Sequence, residues 1–433
     1  MKNAIGVGIC SALLALASGA CRTDVTVIEL SKPPSTASEP SVIVAGNYHA
    51  CALMADSTVR CWGSNAWGQL GTGSLEDQPR PAVVRGLSGV AQIAAAGNNT
   101  CARMNDGTVR CWGDNSFCQL GSDTGGAGGT QSPRGREEFV RDIVSPNAVE
   151  VPGVRSAVQL ATDGLQSCAL LSDGTVRCWG RHFTMWDPRD LSRRDECERS
   201  VVTVPSLTDV VSIRASTRSG MCATRSDGSV ACWASSYGLG PSWGTPVQIP
   251  PPPTVIAGVS NATSALRLHA MTTLERRPAL ETSCALLADH TVSCAGENAV
   301  GMLGDGTRSS RTTFAPVAGL SDAVRIVAFG ERVCAQRSTG ALVCWGESYY
   351  RTPGEQLAMN PEQCPIGDRP TPCATSPREQ AGVSGVRDVA MGEMFTCVYT
   401  SDGAVRCSGV NAFGELGNGE RRDQLEDWQT VQF

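Results

Sequence analysis

Seven cysteine pairs with the spacing Cys-x9-Cys constrain the fold of this chain more than any other feature. The pairs are Cys51 with Cys61, Cys101 with Cys111, Cys168 with Cys178, Cys222 with Cys232, Cys284 with Cys294, Cys334 with Cys344, and Cys397 with Cys407. Turn-forming residues lie in the middle of every pair, as in Asn105-Asp106-Gly107, and Gly ends five of the seven turns. This pattern predicts β-hairpins with three-residue loops whose last residue is left-handed, a position that Ser57 and His290 fill in the other two.

The hairpin register places the two cysteines of each pair opposite each other. Opposed Cα atoms of an antiparallel ladder lie about 4.5–5.5 Å apart, which is within reach of a disulfide. We therefore predict one cross-strand disulfide per pair, each stabilising the fold by roughly 2–3 kcal/mol. Reduced buried thiols and metal ligands are the alternatives, but zinc sites use shorter Cys-x2–4-Cys spacings or His partners. The 20 cysteines of the chain indicate an oxidising compartment.

Six cysteines fall outside the hairpins, namely Cys10 and Cys21 near the N-terminus and four within the repeat region. Cys364 and Cys373 lie in one Pro-rich stretch and are predicted to bridge each other. Cys118 stands where the sister loops have Gly, and Cys197 lies in the insertion of the next repeat. We predict a bridge between them that connects neighbouring loops.

The N-terminus has the pattern of an export signal. A basic start and the apolar run Ala4–Leu16 predict a signal peptide over residues 1–20, too short to span a bilayer. Leu16-Ala-Ser-Gly-Ala-Cys21 resembles a bacterial lipobox, except that Ser18 replaces the usual Leu. We expect Cys21 to be the lipidated first residue of a mature outer-membrane or cell-surface lipoprotein, with residues 22–40 as a tether. Cleavage by an ordinary signal peptidase, giving a periplasmic or secreted protein, is the alternative.

Each cysteine hairpin belongs to a longer repeat. An apolar segment such as Val90–Gly97 precedes the hairpin. A short extended segment, such as Pro81–Arg85 in the first repeat or Pro246–Ile249 in the fourth, follows its loop and is the predicted fourth strand. Four short strands repeated seven times predict an all-β fold, a seven-bladed β-propeller of four-stranded blades over residues 41–433 with a cross-strand disulfide in each blade. We expect a monomer. Whether Trp428–Phe433 completes the seventh blade or pairs with the first cannot be read from the pattern.

The loops after the second cysteine carry a family resemblance. Trp-Gly precedes several of them, and four share an Asn near the start and a Leu-Gly end: Gly63–Gly71, Gly113–Gly121, Gly296–Gly304 and Gly409–Gly417. They resemble the signature loop of the regulator of chromosome condensation repeat, across about residues 41–433, with erosion in repeats three, four and six. The resemblance implies a seven-bladed propeller. The resemblance extends to exchange factors that bind small GTPases and chromatin. It also extends to secreted bacterial propellers that inhibit β-lactamases by capping them, and their compartment is nearer to the one predicted for this chain.

Departures from the repeat concentrate on one face of the predicted propeller. In a four-stranded meander, the connections from the first to the second strand and from the third to the fourth lie on the same face of the propeller. We call this the loop face, and we call the opposite face, which has the turns of the cysteine hairpins, the hairpin face. The insertions predicted on the loop face are Ser122–Ala148, Arg181–Ser200, Met271–Thr282 and Glu347–Gln380. Such a surface is typical of a binding site, although neutral drift in tolerant loops is the alternative. Candidate anchors are the aromatic residues Trp67, Phe117, Phe183, Trp186, Trp243, Tyr349 and Tyr350.

No catalytic constellation is recognisable. The four histidines occupy unrelated slots: His49, His182, His269 and His290. The turn aspartates recur in register, and so does the Trp that follows five of the seven hairpins, which favours structural roles. We predict no metal, no cofactor and no enzymatic activity, and the net charge of −6 gives no footprint for nucleic acid. The expected function is a scaffold that binds a protein partner through the loop face; glycan or cell-wall binding, a hydrolase or lyase, and exchange-factor activity are the alternatives.

Overall fold

Seven antiparallel sheets make up the computed structural model of the protein. It describes residues 39–122, 144–180, 201–216, 220–233, 253–268, 282–347, 362–366 and 369–433. Thr36–Phe433 form one compact unit. The first strand of each sheet contacts the first strands of its two neighbours, so the sheets are the blades of a closed seven-bladed propeller. The predicted fold class is confirmed.

The strands follow the repeat in chain order. Blade one contains β1 (Pro40–Ala45), β2 (His49–Met54), β3 (Val59–Gly63) and β4 (Gln78–Val83). Blade two contains β5 (Val90–Ala96), β6 (Asn99–Met104), β7 (Val109–Asp114) and β8 (Val144–Glu150). Blade three contains β9 (Ala157–Thr162), β10 (Gln166–Leu171), β11 (Val176–Gly180) and β12 (Val202–Thr203). Blade four contains β13 (Val210–Ser216), β14 (Gly220–Arg225), β15 (Val230–Trp233) and β16 (Thr254–Val255).

The remaining three blades include one with an extra strand. Blade five contains β17 (Ala262–Leu268), β18 (Thr282–Leu287), β19 (Val292–Gly296) and β20 (Arg311–Pro316). Blade six contains β21 (Ala323–Phe329), β22 (Arg332–Arg337), β23 (Leu342–Glu347), β24 (Glu362–Ile366) and β25 (Arg369–Glu379), in the sheet order β21-β22-β23-β25-β24. Blade seven contains β26 (Val386–Met391), β27 (Phe395–Thr400), β28 (Val405–Asn411) and β29 (Arg422–Thr430).

The hairpins have the predicted register. In blade two Cys101 pairs with Cys111, and the backbone N–H of Met104 donates to the carbonyl of Thr108 at 2.9 Å. The last loop residue has a left-handed backbone even in the two hairpins that lack Gly there, with φ of 64° at Ser57 and 66° at His290. The turn aspartates are structural, because each accepts a hydrogen bond from the backbone two residues on, as Asp106 does from Thr108 at 2.9 Å.

The predicted hairpin disulfides are all present, with Cα–Cα distances between 4.0 and 4.2 Å. One bridge lies in each blade, and in chain order they join Cys51 to Cys61, Cys101 to Cys111, Cys168 to Cys178, Cys222 to Cys232, Cys284 to Cys294, Cys334 to Cys344, and Cys397 to Cys407. The distances are slightly shorter than the predicted range, and the pairing itself is as predicted.

The three described cysteines outside the hairpins are bridged as well. Cys364 and Cys373 form the predicted disulfide, with Cα atoms 5.9 Å apart. Cys118 is disulfide-bonded too. Since the other described cysteines pair among themselves, its partner lies outside the described residues, as Cys197 does, and the bridge between Cys118 and Cys197 stays a prediction.

The recurrent tryptophan joins five of the seven blades to the preceding one. Trp62, Trp112, Trp179, Trp233 and Trp345 are at most 1% exposed. In four of the five, the indole N–H donates to a backbone carbonyl in the loop of the preceding blade: Trp62 to Glu415 (2.8 Å), Trp112 to Gln69 (2.9 Å), Trp179 to Gln119 (3.1 Å) and Trp345 to Met302 (2.9 Å). Trp233 instead donates to the side chain of Gln166 at 3.1 Å. A buried indole N–H requires such an acceptor, so the slot is structural.

The ring closes without exchange of strands. β29 pairs with β28, so the C-terminal tail completes the seventh blade. Closure rests on contacts between blades seven and one, where the backbone N–H of Ile43 donates to Asp388 at 3.1 Å. Apolar side chains of both blades, Ile43 and Tyr399 among them, share one buried cluster.

Three boundaries differ from the sequence prediction. The fourth strand of blade four was expected at Pro246–Ile249, which lies outside the described residues, but β16 at Thr254–Val255 pairs with β15 and fills that position. The insertions predicted at Ser122–Ala148 and Glu347–Gln380 were drawn too long, because the fourth strands β8 and β25 begin inside them. These outer strands are short or partly exposed, so burial imposes little pattern on their sequences.

Candidate binding surface and central channel

One asparagine organises each loop of the loop face that keeps the repeat pattern. The side-chain oxygen of Asn65 accepts from the backbone N–H of Leu70 at 3.0 Å, and its amide donates to the carbonyls of Ser74 and Glu76, both at 2.9 Å. Asn298 and Asn411 make the corresponding bonds in blades five and seven. A buried amide that bonds three parts of a loop fixes its backbone, so these loops present their side chains from rigid supports.

An aromatic residue follows two positions after the asparagine in three of these loops. Its backbone N–H donates to the side chain two residues further on: Trp67 to Gln69 at 2.9 Å, Phe117 to Gln119 at 2.8 Å and Phe413 to Glu415 at 2.8 Å. Phe117 is 37% and Phe413 40% exposed, whereas Trp67 is half-buried. In blade five the same slot holds the fully buried Val300.

These aromatic side chains come from neighbouring blades. Blades seven, one and two are consecutive around the propeller. The aromatic ring of Tyr48 packs edge-on against that of Phe413, with 5.8 Å between the ring centroids. Backbone hydrogen bonds connect the intervening turns, from the N–H of Glu393 to the carbonyl of Asn47 at 2.9 Å and from the N–H of Asn47 to Gly97 at 2.8 Å. We call Tyr48, Trp67, Phe117 and Phe413 the aromatic arc.

The arc contains two of the predicted anchors and two residues that the sequence analysis missed. Trp67 and Phe117 lie on the loop face as predicted. Phe413 and Tyr48 were not singled out, although Asn411-Ala-Phe413 repeats the Asn65-Ala-Trp67 pattern. The other predicted anchors, Phe183, Trp186, Trp243, Tyr349 and Tyr350, lie outside the described residues, and so does Cys21.

The slot of Cys118 lies against the next blade. Sister loops place Gly there, and a Cβ on Gly68 would come within 2.8 Å of Pro146, while one on Gly414 would come within 2.4 Å of Pro79. Both prolines belong to the fourth strand of the following blade. Cys118 keeps the left-handed backbone, with φ of 56°. The corresponding neighbour is the chain around β12, and Cys197 precedes β12 by five residues in the sequence.

A buried glutamate lies below the arc where blade seven meets blade one. Glu415 is fully buried, and one of its carboxylate oxygens has no hydrogen-bond partner among the described residues. Burial, and the nearby charge of Asp77, raise the pKa of Glu415 to about 7. Blades one and two have the neutral Gln69 and Gln119 at this position.

The first strands of all seven blades surround a central channel of about 670 Å³. Polar side chains brace neighbouring first strands, whose inner edges have no further strand to pair with. The side chain of Gln92 donates to the carbonyl of Leu160 at 3.1 Å and accepts from its N–H at 2.9 Å. Gln159 accepts from the N–H of Ile213 at 2.8 Å in the same way, as Asp388 does from Ile43.

The described histidines have structural surroundings. His49 is fully buried with its Nε2 2.8 Å from the hydroxyl of Thr100, and burial lowers its pKa to about 3, so the imidazole stays neutral. His290 is the left-handed turn residue, with Nδ1 3.1 Å from the carbonyl oxygen of Ala323. His182 and His269 lie outside the described residues. Among the described part of the chain, no three His, Cys, Asp or Glu side chains are grouped so as to hold a metal ion.

Comparison with known proteins agrees with this geometry. Models described as "Regulator of chromosome condensation (RCC1) repeat" match residues 56–103 in one case, and residues 42–69 and 90–119 in the other. The human protein named Probable E3 ubiquitin-protein ligase HERC6 is 47% identical over 58 residues, which are 13% of this chain and 6% of that protein. The chain therefore matches only a small part of this relative.

Solved structures resemble the whole propeller. Prp20p from Saccharomyces cerevisiae, described with its binding properties to Gsp1p and histones, is 19% identical with a TM-score of 0.64 over 91% of this chain and 87% of that one. Yeast RCC1 (Prp20) with Kap60 bound is 18% identical with a TM-score of 0.66 over 96% of this chain and 91% of that one. Human WBSCR16 is 17% identical with a TM-score of 0.62 over 87% of this chain and 95% of that one. At these identities the likeness concerns the fold.

The fold and the loop architecture define a seven-bladed propeller with one disulfide-bridged hairpin in each blade. The matches within residues 42–119 identify that part of the chain as regulator of chromosome condensation repeats. The whole chain has the fold of the solved propellers Prp20p and yeast RCC1 (Prp20).

No helix among the described residues is long and apolar enough to cross a bilayer.

Proposed function

We propose that the protein is an exported, non-enzymatic scaffold that binds a protein partner through its loop face, with the aromatic arc as the centre of the contact. The observation that carries this proposal is the display of Phe117 and Phe413, 37% and 40% exposed, on loops held rigid by buried asparagines. Aromatic residues anchor protein interfaces because they bury a large area at a small cost in conformational entropy.

Rigid display favours a protein partner further. A side chain whose backbone is already fixed loses little freedom on binding, so more of its burial energy contributes to affinity. The solved relatives of similar fold include Prp20p, whose description names the protein partners Gsp1p and histones. A flat glycan would also stack on aromatic rings, which makes glycan binding the second candidate. An enzyme would need acids or histidines clustered in a pocket, and the charged side chains described in the channel wall are arginines.

Replacement of three of the four arc residues is expected to weaken partner binding strongly. A triple variant with Trp67→Ser, Phe117→Ser and Phe413→Ser should lose at least about ten-fold in affinity, since interface aromatics typically contribute more than about 1 kcal/mol each. The measurement is affinity capture from the native host's exported fraction, with quantitative mass spectrometry, followed by titration of the captured protein.

The matched control is a double variant with Val83→Ser and Val255→Ser. These valines are 53% and 54% exposed on fourth strands, so the control removes a comparable apolar surface away from the arc. Equal capture by the wild type and the arc variant would contradict the proposal. Binding of purified cell-wall glycan that depends on the arc, with no protein captured, would favour the glycan candidate instead.

Export is the second part of the proposal. Its support is the set of disulfides, which form and persist in oxidising compartments, together with the signal-like N-terminus. We place the protein on a bacterial membrane surface through lipidated Cys21, with simple secretion as the alternative.

Metabolic labelling with an alkyne palmitate analogue tests the anchor. The wild-type chain should take up the label and fractionate with membranes. Cys21→Ser should take up none, because a hydroxyl at this position cannot form the thioether that anchors a bacterial lipoprotein. An unlabelled wild-type chain would exclude the lipoprotein and leave simple secretion.

A further inference from the structure

The central channel has an unusual distribution of charge. Most of its described lining residues are apolar, and the only charged ones are Arg214 on β13 and Arg325 on β21. Both are cationic, and the described wall contributes no carboxylate to the lumen. A channel of about 670 Å³ is within the size range of small-molecule sites.

The two arginines differ in how their charge is balanced. Arg325 forms an ion pair with Asp388 at 2.6 Å, and that carboxylate is itself buried in the wall. The side chain of Arg214 makes no hydrogen bond or ion pair with any described residue. Burial of its guanidinium lowers the pKa of Arg214, and repulsion by Arg325 lowers it further. The attraction of Asp388 offsets this lowering only in part. Arg214 therefore brings into the channel a positive charge that no described residue pairs with directly.

The surroundings of Arg214 are apolar at the same level of the channel. Arg214 pairs with Cys222, the first cysteine of its hairpin. The residues that pair with the first cysteine in other blades include Val44, Leu266 and Val327. Towards the hairpin face the lining continues with Val158 and Val211, which are 49% and 57% exposed.

We propose that the channel binds a small organic carboxylate with an aliphatic chain, whose carboxylate is held by Arg214. The planar guanidinium donates two parallel hydrogen bonds to a carboxylate, and the exposed side chains of Val158 and Val211 provide an apolar contact for the chain. Inorganic phosphate would engage the same guanidinium but would gain nothing from Val158 and Val211, so it is the comparison ligand. This site is separate from the loop-face aromatic arc and does not depend on the proposed partner.

The repeat supplies a matched variant. Blade five has Leu266 in the slot of Arg214, so Arg214→Leu puts a residue there that the fold already tolerates in a sister blade. Arg214→Lys keeps the charge but removes the planar fork. Arg155→Gln is the control, because it removes one positive charge from a surface side chain that is 74% exposed.

Calorimetric titration of the full chain with hexanoate, acetate and phosphate at low ionic strength tests the proposal. Hexanoate should bind with a Kd in the millimolar range and at least about ten-fold more tightly than acetate, since each buried methylene contributes up to about four-fold. Arg214→Leu should weaken hexanoate at least about ten-fold, Arg214→Lys by a few-fold, and Arg155→Gln should bind as the wild type does.

Three results would overturn the proposal. They are equal hexanoate binding by Arg214→Leu and the wild type, equal affinity for acetate and hexanoate, or Arg214-dependent binding of phosphate without hexanoate. Unfolding curves recorded for each variant show whether the channel is intact, and the lysine variant provides the comparison if the leucine variant does not fold.

Discussion

A chain unfolded in guanidinium chloride with excess reductant is expected not to regain the propeller when it is returned to reducing native buffer. Each hairpin bridge closes a loop whose ends are separated by 10 residues, for which the chain-entropy treatment gives about 3 kcal/mol. Even at half that amount, the loss of seven such bridges reaches about 10 kcal/mol, which is comparable to the whole stability of an ordinary domain. Near-ultraviolet circular dichroism and cooperative thermal unfolding measure the outcome.

The same reductant is expected to have little effect on the native protein within hours. The paired hairpin cysteines are at most 1% exposed, because they lie between packed blades, so a reductant reaches the sulfurs only after a blade opens. Alkylation of native protein after reductant treatment, read by mass spectrometry, should therefore find the seven hairpin bridges intact. A chain refolded without reductant is the control. A cooperative transition in the fully reduced chain would contradict this account.

The hairpins were the part of the fold that the sequence predicts best, for a local reason. A three-residue loop fixes the pairing of the strands on either side, so Cys101 opposite Cys111 follows from spacing alone. Ring closure depends instead on contacts between distant residues, such as Ile43 with Asp388, which no local pattern encodes. The fourth strand of blade four is two exposed residues long, so neither periodicity nor burial marks it.

The candidate surface was predictable only in its components. Trp67 and Phe117 are conspicuous as loop aromatics, but Phe413 becomes their neighbour only because blade seven lies beside blade one. Likewise, Arg214 and Arg325 are ordinary arginines in two apolar segments of the sequence, and only the closed ring brings them into one channel. Local spacing predicts elements, whereas the sites depend on the order of blades around the ring.

Replacement of Glu415 by Gln is expected to stabilise the protein at alkaline pH and to leave it unchanged at acidic pH. The pKa of Glu415 rises from 4.5 to about 7 in the folded protein. Because the fold favours the protonated acid, the stability that this group contributes is complete below pH 4.5 and is lost as the pH rises through about 7. The loss at pH 8 is at most about 3 kcal/mol.

The physical cause lies in the contacts of the two carboxylate oxygens. One oxygen accepts from the backbone N–H of Phe413 at 2.8 Å, and the other is buried without a partner among the described residues. Ionisation therefore places a charge where burial opposes it, with Asp77 nearby adding repulsion. Arg421 pairs with Asp77 at 3.4 Å and so offsets part of that repulsion.

Urea unfolding of the wild type and Glu415→Gln between pH 4 and pH 9 measures the difference. The two free energies of unfolding should agree at pH 4 and diverge through pH 7, with the variant up to about 3 kcal/mol more stable at pH 8. Glu76→Gln changes an exposed glutamate of the neighbouring loop and should give a curve parallel to the wild type. Parallel curves for Glu415→Gln, or a less stable variant at pH 8, would refute the assignment.

The position of Glu415 gives this dependence a structural consequence. Its backbone carbonyl accepts the indole N–H of Trp62 across the junction that closes the ring. Among the described strands none is exchanged across that junction, because β29 pairs within its own blade. Ionisation should therefore loosen blade seven from blade one before the other junctions. Since hydrogen exchange itself accelerates with pH, the comparison is between proteins at one pH. At pH 8 the Trp62 indole should exchange faster in the wild type than in Glu415→Gln, while the Trp112 indole exchanges equally in both.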